Sequence, residues 1–178
     1  MDFKKMLYTI LSSDIVPLGK GGQSVVYPVN DSVVVKVYHH TDKSAKKIAI
    51  NEYKVGTELF RNGISVPKML GLIFPDFCLF RPFLQYPNTR IAIFMQRING
   101  RRLHELEDDQ QAEARRQYLQ ELKRVVDLGY YPYDVKIENA LFDVGRWKIF
   151  LIDFSGWEKG NPEELNRLSK KLKEGRYY

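Results

Sequence analysis

One cysteine in 178 residues, Cys78, rules out an internal disulfide and any zinc site built on several thiolates. The chain is therefore expected in a reducing compartment such as the cytoplasm, and any route of export is not displayed in the sequence. No apolar run approaches the roughly 20 residues that a membrane-spanning helix requires. The opening MDFKKMLYTILSSD has only a short apolar stretch, broken by Thr9 and Ser12, and matches a cleavable export signal poorly. Histidine is also sparse, and His39, His40 and His104 have no set of metal partners around them. The formal charge of +6 would suit an anionic partner. Yet no long Lys/Arg block accompanies a nucleic-acid-binding motif, so nucleic acid is not expected and the basic residues read as a solvated surface. With 44% hydrophobic and 28% charged residues, the chain has the balance of a globular protein able to bury a core.

Polar residues at set spacings inside apolar sequence carry the chemistry. Residues 131–156 read YPYDVKIENALFDVGRWKIFLIDFSG, with Asp134, Lys136 and Asn139 on a short loop and Asp153 further on. ALF (140–142) and WKIFLI (147–152) predict two strands joined through Asp143, Val144, Gly145 and Arg146. A hairpin there returns Asp153 close to Asn139. Two oxygen-bearing side chains then meet, the donor type that hard Mg²⁺ prefers, with waters and substrate phosphates completing its shell. Asp134, just upstream, is placed to orient an attacking hydroxyl and accept its proton.

The amino-terminal half has a different pattern. Residues 3–11 predict a short amphipathic lead-in, and IVPLGKGGQSVVYPV (15–29) alternates around Gly19, Gly21 and Gly22. After the turn signal Asn30-Asp31, DSVVVKVYHH is β-branched, so the reading is strand, loop, strand, turn, strand. A Walker loop and a Rossmann turn both feed a helix directly, and none is predicted here. Lys36 lies among apolar neighbours in VVVKVY. Lys43–Phe60 predicts an amphipathic helix that carries Glu52 and Glu58, weakened locally by Gly56 and ended by Asn62-Gly63. Residues 70–95 hold further strand-like runs with turns at PDF and QYPNT, ending in IAIFM (91–95). Leu103–Leu128 predicts one long helix closed by Gly129, and Asn161-Pro162 begins a last helix with Leu165, Leu168 and Leu172 on its apolar face.

From about Leu18 to Trp157 this order resembles the protein-kinase-like superfamily. LGKGGQSVV resembles its Gly-rich hairpin loop, with Gly19 and Gly21 in the first two glycine positions, Gly22 beside them and Ser24 in place of the third. VVVK resembles the strand whose lysine, here Lys36, contacts the α and β phosphates of ATP and pairs with a helical glutamate, for which Glu52 falls at the expected position and Glu58 is the rival. Asp134 matches the catalytic Asp, Lys136 lies two residues on and Asn139 five, and Asp153-Phe154-Ser155 fills the metal-binding slot. The resemblance implies an α+β, two-lobed fold with Mg-ATP between the lobes. Residues 1–98 would form a β-rich lobe and 99–178 a strongly reduced helical lobe. It further implies that Val26 covers the adenine, that Met95 is the gatekeeper, and that backbone groups of Gln96 and Ile98 face the adenine edge. Asn139 and Asp153 would hold Mg²⁺.

The departures shape the functional expectation. Pro132 and Tyr133 stand where typical members have His and Arg, so activity independent of loop phosphorylation is expected. Only 22 residues follow Gly156 (178 − 156), and no Ala-Pro-Glu motif is present, which resembles the economy of RIO-type kinases and of compact kinases that bacterial pathogens deliver into host cells. The expected activity is Mg- and ATP-dependent phosphoryl transfer to a protein Ser or Thr hydroxyl, the bias towards Ser/Thr resting on Lys136. An activating partner is compatible with so short a second lobe. Two other readings stay open: a small-molecule phosphotransferase, and a pseudokinase or binding module that acts by gripping a partner.

Overall fold

The computed structural model describes residues 2–74, 90–133 and 135–174. Cys78, the PDF and QYPNT turns and Asp134 lie outside the described residues. Helix α1 (Phe3–Leu11) starts where the Asp2 side chain accepts from the Lys5 amide at 3.1 Å. The glycine-centred sequence forms β1 (Gly19–Lys20) and β2 (Ser24–Pro28), and VVVKVY forms β3 (Val33–Tyr38). Helix α2 (Lys43–Arg61) follows, initiated by Asp42, whose carboxylate accepts from the Ala45 amide at 2.8 Å. It runs through Gly56, which is buried, and stops at Gly63, whose φ of +73° few other residues adopt. Strands β4 (Met69–Ile73) and β5 (Ala92–Gln96) complete an antiparallel sheet of order β1-β2-β3-β5-β4.

Strand β3 is the centre of that sheet, and all six of its residues are buried. Alternation along a strand sends successive side chains to opposite faces. Val33, Val35 and Val37 accordingly join Leu7 and Ile10 of α1, Ile73, Ala92 and Phe94 in one apolar cluster. Phe3 lies 4.6 Å from Phe94, centroid to centroid, over Gly71, where a Cβ would meet the Phe3 ring at 2.8 Å. Val34, Lys36 and Tyr38 point to the other face.

The remaining elements are α3 (Asp108–Asp127), β6 (Tyr130–Pro132), β7 (Ala140–Asp143), β8 (Lys148–Leu151), β9 (Trp157–Lys159) and α4 (Pro162–Lys173). The described residues thus make a mixed α+β chain with four α-helices. Three boundaries differ from the sequence expectation. Helix α3 begins at Asp108, not Leu103: Leu103–Glu105 is a single 3-10 turn, Leu106 and Glu107 are extended, and Asp108 and Asp109 then favour the positive helix start. Trp147 sits in the β7–β8 turn at φ +52°, outside the strand. Gln96 is the last residue of β5, paired with Val33, so the connection to the rest of the chain begins after it.

The chain divides into two compact units, Met1–Tyr53 with Met69–Arg97, and Lys54–Lys68 with Ile98–Tyr178. Residues 54–68 belong to the second because hydrogen bonds hold them there. Ser65 accepts from the Leu151 amide at 2.9 Å and donates from Oγ to Glu121 at 2.8 Å, while Arg124 donates to the Gly63 carbonyl at 3.0 Å. In this unit α3 buries Ala114, Tyr118, Leu122, Val125 and Val126, and α4 buries Leu168 and Leu172. The pairing of β6 with β9, Tyr130↔Lys159 to Pro132↔Trp157, was not expected from sequence. No helix among the described residues is long and apolar enough to cross a membrane.

Candidate functional site

The first unit gathers several of the sequence-selected residues on one sheet face. Across β2 and β3 the register pairs Ser24 with Tyr38 and Val26 with Lys36, and across β3 and β5 it pairs Val34 with Met95 and Lys36 with Ile93. Directly opposed residues share a face. Ser24, Val26, Lys36, Tyr38, Ile93 and Met95 therefore line the face opposite the α1 cluster. Lys36 is 6% exposed and Glu52, from α2, 2%. The Lys36 ammonium donates to both carboxylate oxygens, to Oε1 at 2.7 Å and to Oε2 at 2.8 Å. The Tyr38 hydroxyl donates to Oε2 as well.

The Gly-rich segment is a hairpin. Gly19 opposes Val26, Lys20 opposes Val25, and the Gly21 amide donates to the Ser24 carbonyl at 2.8 Å. His39, just past β3, ties the turn down, with its amide on the Gln23 carbonyl at 2.9 Å and its Nε2 3.2 Å from the Gly21 carbonyl. A carbonyl oxygen only accepts, so Nε2 carries the proton in that contact. Neither packing nor backbone geometry demands glycine at 19 or 22: a Cβ there would meet nothing within 4 Å, and the positive-φ glycines are Gly63 and Gly129. Close approach of another molecule to the backbone is a remaining reason for glycine. Gly100 contrasts with these, because a Cβ there would lie 2.8 Å from the Leu141 Cβ and 3.2 Å from the Phe142 backbone. Gly100→Ala is expected to cost about 1–3 kcal/mol and Gly22→Ala less than about 0.5 kcal/mol. Urea titrations of the two variants measure the contrast.

The second unit carries the oxygen donors. Strands β7 and β8 pair from Ala140↔Leu151 to Asp143↔Lys148, and the Ile152 amide donates to the Asn139 carbonyl at 2.9 Å. That bond brings Asp153 to within one residue of the position opposite Asn139. A 3-10 turn, Ile137–Asn139, leads into β7, with exposed Lys136 immediately before it. Asp153 is exposed and has a φ of +63°, a conformation uncommon outside glycine that tends to persist where function requires it. The residue after it anchors the turn: Phe154 is 1% exposed and stacks edge-on against Trp157 at 5.2 Å. Among the described residues no three His, Cys, Asp or Glu side chains form a metal cage. The Asn139 amide oxygen and Asp153 carboxylate are hard donors of the kind that suits Mg²⁺, which takes few protein ligands and draws others from water and phosphate. Ile98 belongs to this unit and is half-buried.

Glu58, the rival for Lys36, has other partners. Lys159 of β9 donates to its carboxylate at 2.9 Å and to the Leu128 carbonyl at 3.2 Å, with the ammonium 3.7 Å from the Tyr130 ring centroid. The Tyr130 hydroxyl, and after it Lys159, hold the Glu58 carboxyl below its ordinary value of 4.5, while burial pushes the Tyr130 phenol up. A lowered folded-state value adds stability above pH 4.5 that is lost as pH falls through it. Glu58→Gln should therefore flatten the acid side of the stability curve below that pH. At neutral pH it should cost about 1 kcal/mol or less, since the carboxylate is 48% exposed. Urea midpoints between pH 3 and pH 7 for the parent and Glu58→Gln give the comparison.

No protein-family model and no curated protein matches this sequence. The functional reading therefore rests on the residues. Sequence reasoning missed Tyr38 and His39, and the signal for Tyr38 was present: it lies two residues beyond Lys36 in an alternating strand, so it shares the lysine's face. Pro132 and Tyr133 lie at and just after β6, with Tyr133 4.8 Å from the Tyr131 ring. Its phenol is pushed up first by a hydrogen bond to Glu158.

Proposed function

We propose that the chain is a minimal protein-kinase-like phosphotransferase that moves the γ-phosphoryl group of Mg-ATP to a Ser or Thr hydroxyl of a protein. The observation that carries this reading is the buried Lys36–Glu52 pair, on the face lined by Ser24, Val26 and Met95. Burying two charges is costly, and a pair of this kind is often no more stabilising than apolar residues of the same size. Its retention in a strand of valines argues for use of the lysine. The glycines that the fold does not require, at 19 and 22, belong to the hairpin that carries Val26 on this face.

In this reading the Gly19–Gly22 hairpin presents backbone amides to the phosphates, Lys36 neutralises the α and β phosphates, and Glu52 aims Lys36. Val26 and Met95 border the adenine, with Gln96 and Ile98 offering backbone groups to its edge. Asn139 and Asp153 hold Mg²⁺, which when bound offsets the charge that grows on the phosphate oxygens. Asp134 orients the acceptor hydroxyl and takes its proton as the hydroxyl oxygen bonds to phosphorus and the bond to the ADP oxygen breaks. Lys136 steadies the transferring group. Alignment and fixed charge supply most of the acceleration in phosphoryl transfer. The first unit is read as the nucleotide lobe and the second as a reduced helical lobe.

The test is transfer from γ-labelled ATP with Mg²⁺, to the chain itself and to size-fractionated lysate, comparing the parent with Asp153→Ala. Labelling of a protein band that depends on Asp153 is the expected result. Labelling confined to small molecules would replace the protein acceptor with a small hydroxyl compound. Nucleotide binding without transfer would leave a binding module.

A further inference from the structure

We infer that Tyr38 is a positioning residue for the phosphate grip, its hydroxyl fixing the Glu52 carboxylate that aims Lys36. The inference rests on the phosphotransferase reading and assigns a role to a residue outside the motif that suggested it. Tyr38 is 2% exposed, and its ring closes β3 on the face that carries Lys36. Packing alone would be met by phenylalanine. A hydroxyl taken out of water is unfavourable unless it is bonded, so its presence here points to the bond it makes.

That bond is to Glu52 Oε2, the oxygen that also accepts from Lys36 at 2.8 Å. A lysine ammonium is a point charge on a flexible stem with three rotatable donors, so its aim is set by its acceptor. A carboxylate held by one partner can turn about its last torsion and carry the ammonium with it. Two donors from the same strand, two residues apart, hold it in one orientation. The Lys36 ammonium also lies 5.7 Å from the Tyr38 ring centroid, within reach of the attraction between a cation and a π face. The same strand end reaches the Gly-rich hairpin, because Ser24 pairs with Tyr38 and His39 bonds to Gln23 and Gly21. Tyr38 therefore stands where the helix that supplies the carboxylate and the hairpin meant for phosphate are both joined to β3.

The experiment measures ATP affinity by calorimetry, with KM and kcat for ATP, for the full chain and for Tyr38→Phe, Glu52→Ala, which removes the acceptor, and the double variant. Tyr38→Phe keeps the ring and removes only the donor. It should weaken ATP binding and raise KM about tenfold with kcat changed less than about threefold, while in the Glu52→Ala background the same substitution changes affinity less than about twofold. A purely structural tyrosine would give the same fold-loss in both backgrounds, and that additivity overturns the assignment. So does a Tyr38→Phe variant that binds ATP as the parent does, or one that loses its cooperative thermal transition. A parent chain that binds no ATP defeats the phosphotransferase reading and the Tyr38 assignment with it. Failure confined to the variant defeats the assignment alone.

Discussion

Lys36→Ala is expected to abolish measurable phosphoryl transfer and to lower stability by about 3–5 kcal/mol, the largest loss foreseen for any single substitution in the chain. Glu52 is 2% exposed, and removing the ammonium leaves its carboxylate buried with the Tyr38 hydroxyl as its remaining identified donor. The cost comes from an uncompensated charge, so stability and activity can be separated. In Lys36→Met with Glu52→Gln the charge is gone from both positions, and the amide oxygen still accepts from Tyr38. Most of the lost stability should return, since replacing a whole buried pair is frequently neutral. Transfer should not return. Denaturant midpoints and labelled-phosphate transfer on the same three proteins decide the matter. Transfer by the double variant would remove Lys36 from the mechanism, and failure of stability to recover would mean that the pair itself stabilises the sheet.

At Asp153 activity and stability should move in opposite directions. Asp153→Ala and Asp153→Gly each remove the carboxylate proposed for Mg²⁺, and transfer should fall on the order of 10²–10³-fold or more. Their stabilities should differ. The backbone there has a φ of +63°, and the side chain is exposed. Glycine adopts that conformation without strain, so Asp153→Gly should match the parent or exceed it by up to about 1 kcal/mol, while alanine should fall below glycine. Such an outcome would mark Asp153 as a residue kept in an unfavourable conformation for its chemistry. Undiminished transfer by either variant would sink the metal assignment, and a glycine variant less stable than alanine would sink the strain argument.

Much of the arrangement was legible because it depends on short-range periodicity. Alternation in VVVKVY puts Lys36 on the face away from Val33, Val35 and Val37. The paired runs ALF and KIFL bring the chain back on itself, so the approach of Asp153 to Asn139 needed only the hairpin, whose register is set locally. The limits of α3 were less legible. Leu103 and Leu106 continue an apolar spacing that suits a helix, but the backbone is extended at Leu106 and Glu107, and the helix starts only beyond them. Apolar spacing reports which side chains are buried, and a 3-10 turn followed by extended backbone can bury leucines at the same intervals.

Alone, the sequence determined the strand that carries Lys36, the helix that carries both candidate carboxylates, the glycine hairpin and the loop and hairpin that carry Lys136, Asn139 and Asp153. Only the tertiary structure decided which carboxylate meets the lysine. Glu52 and Glu58 lie about 120° apart around one helix, and either side can be turned to the sheet until the helix is docked. Docking brings Glu52 to Lys36 and Tyr38, and gives Glu58 to Lys159, which lies 101 residues further along the chain. The β6–β9 pairing was hidden for the same reason. Tyr130–Pro132 and Trp157–Lys159 are three residues each, too short for a period to register. Strands of that length are defined by the partner beside them, and partners distant in sequence are chosen by the packing of the whole chain.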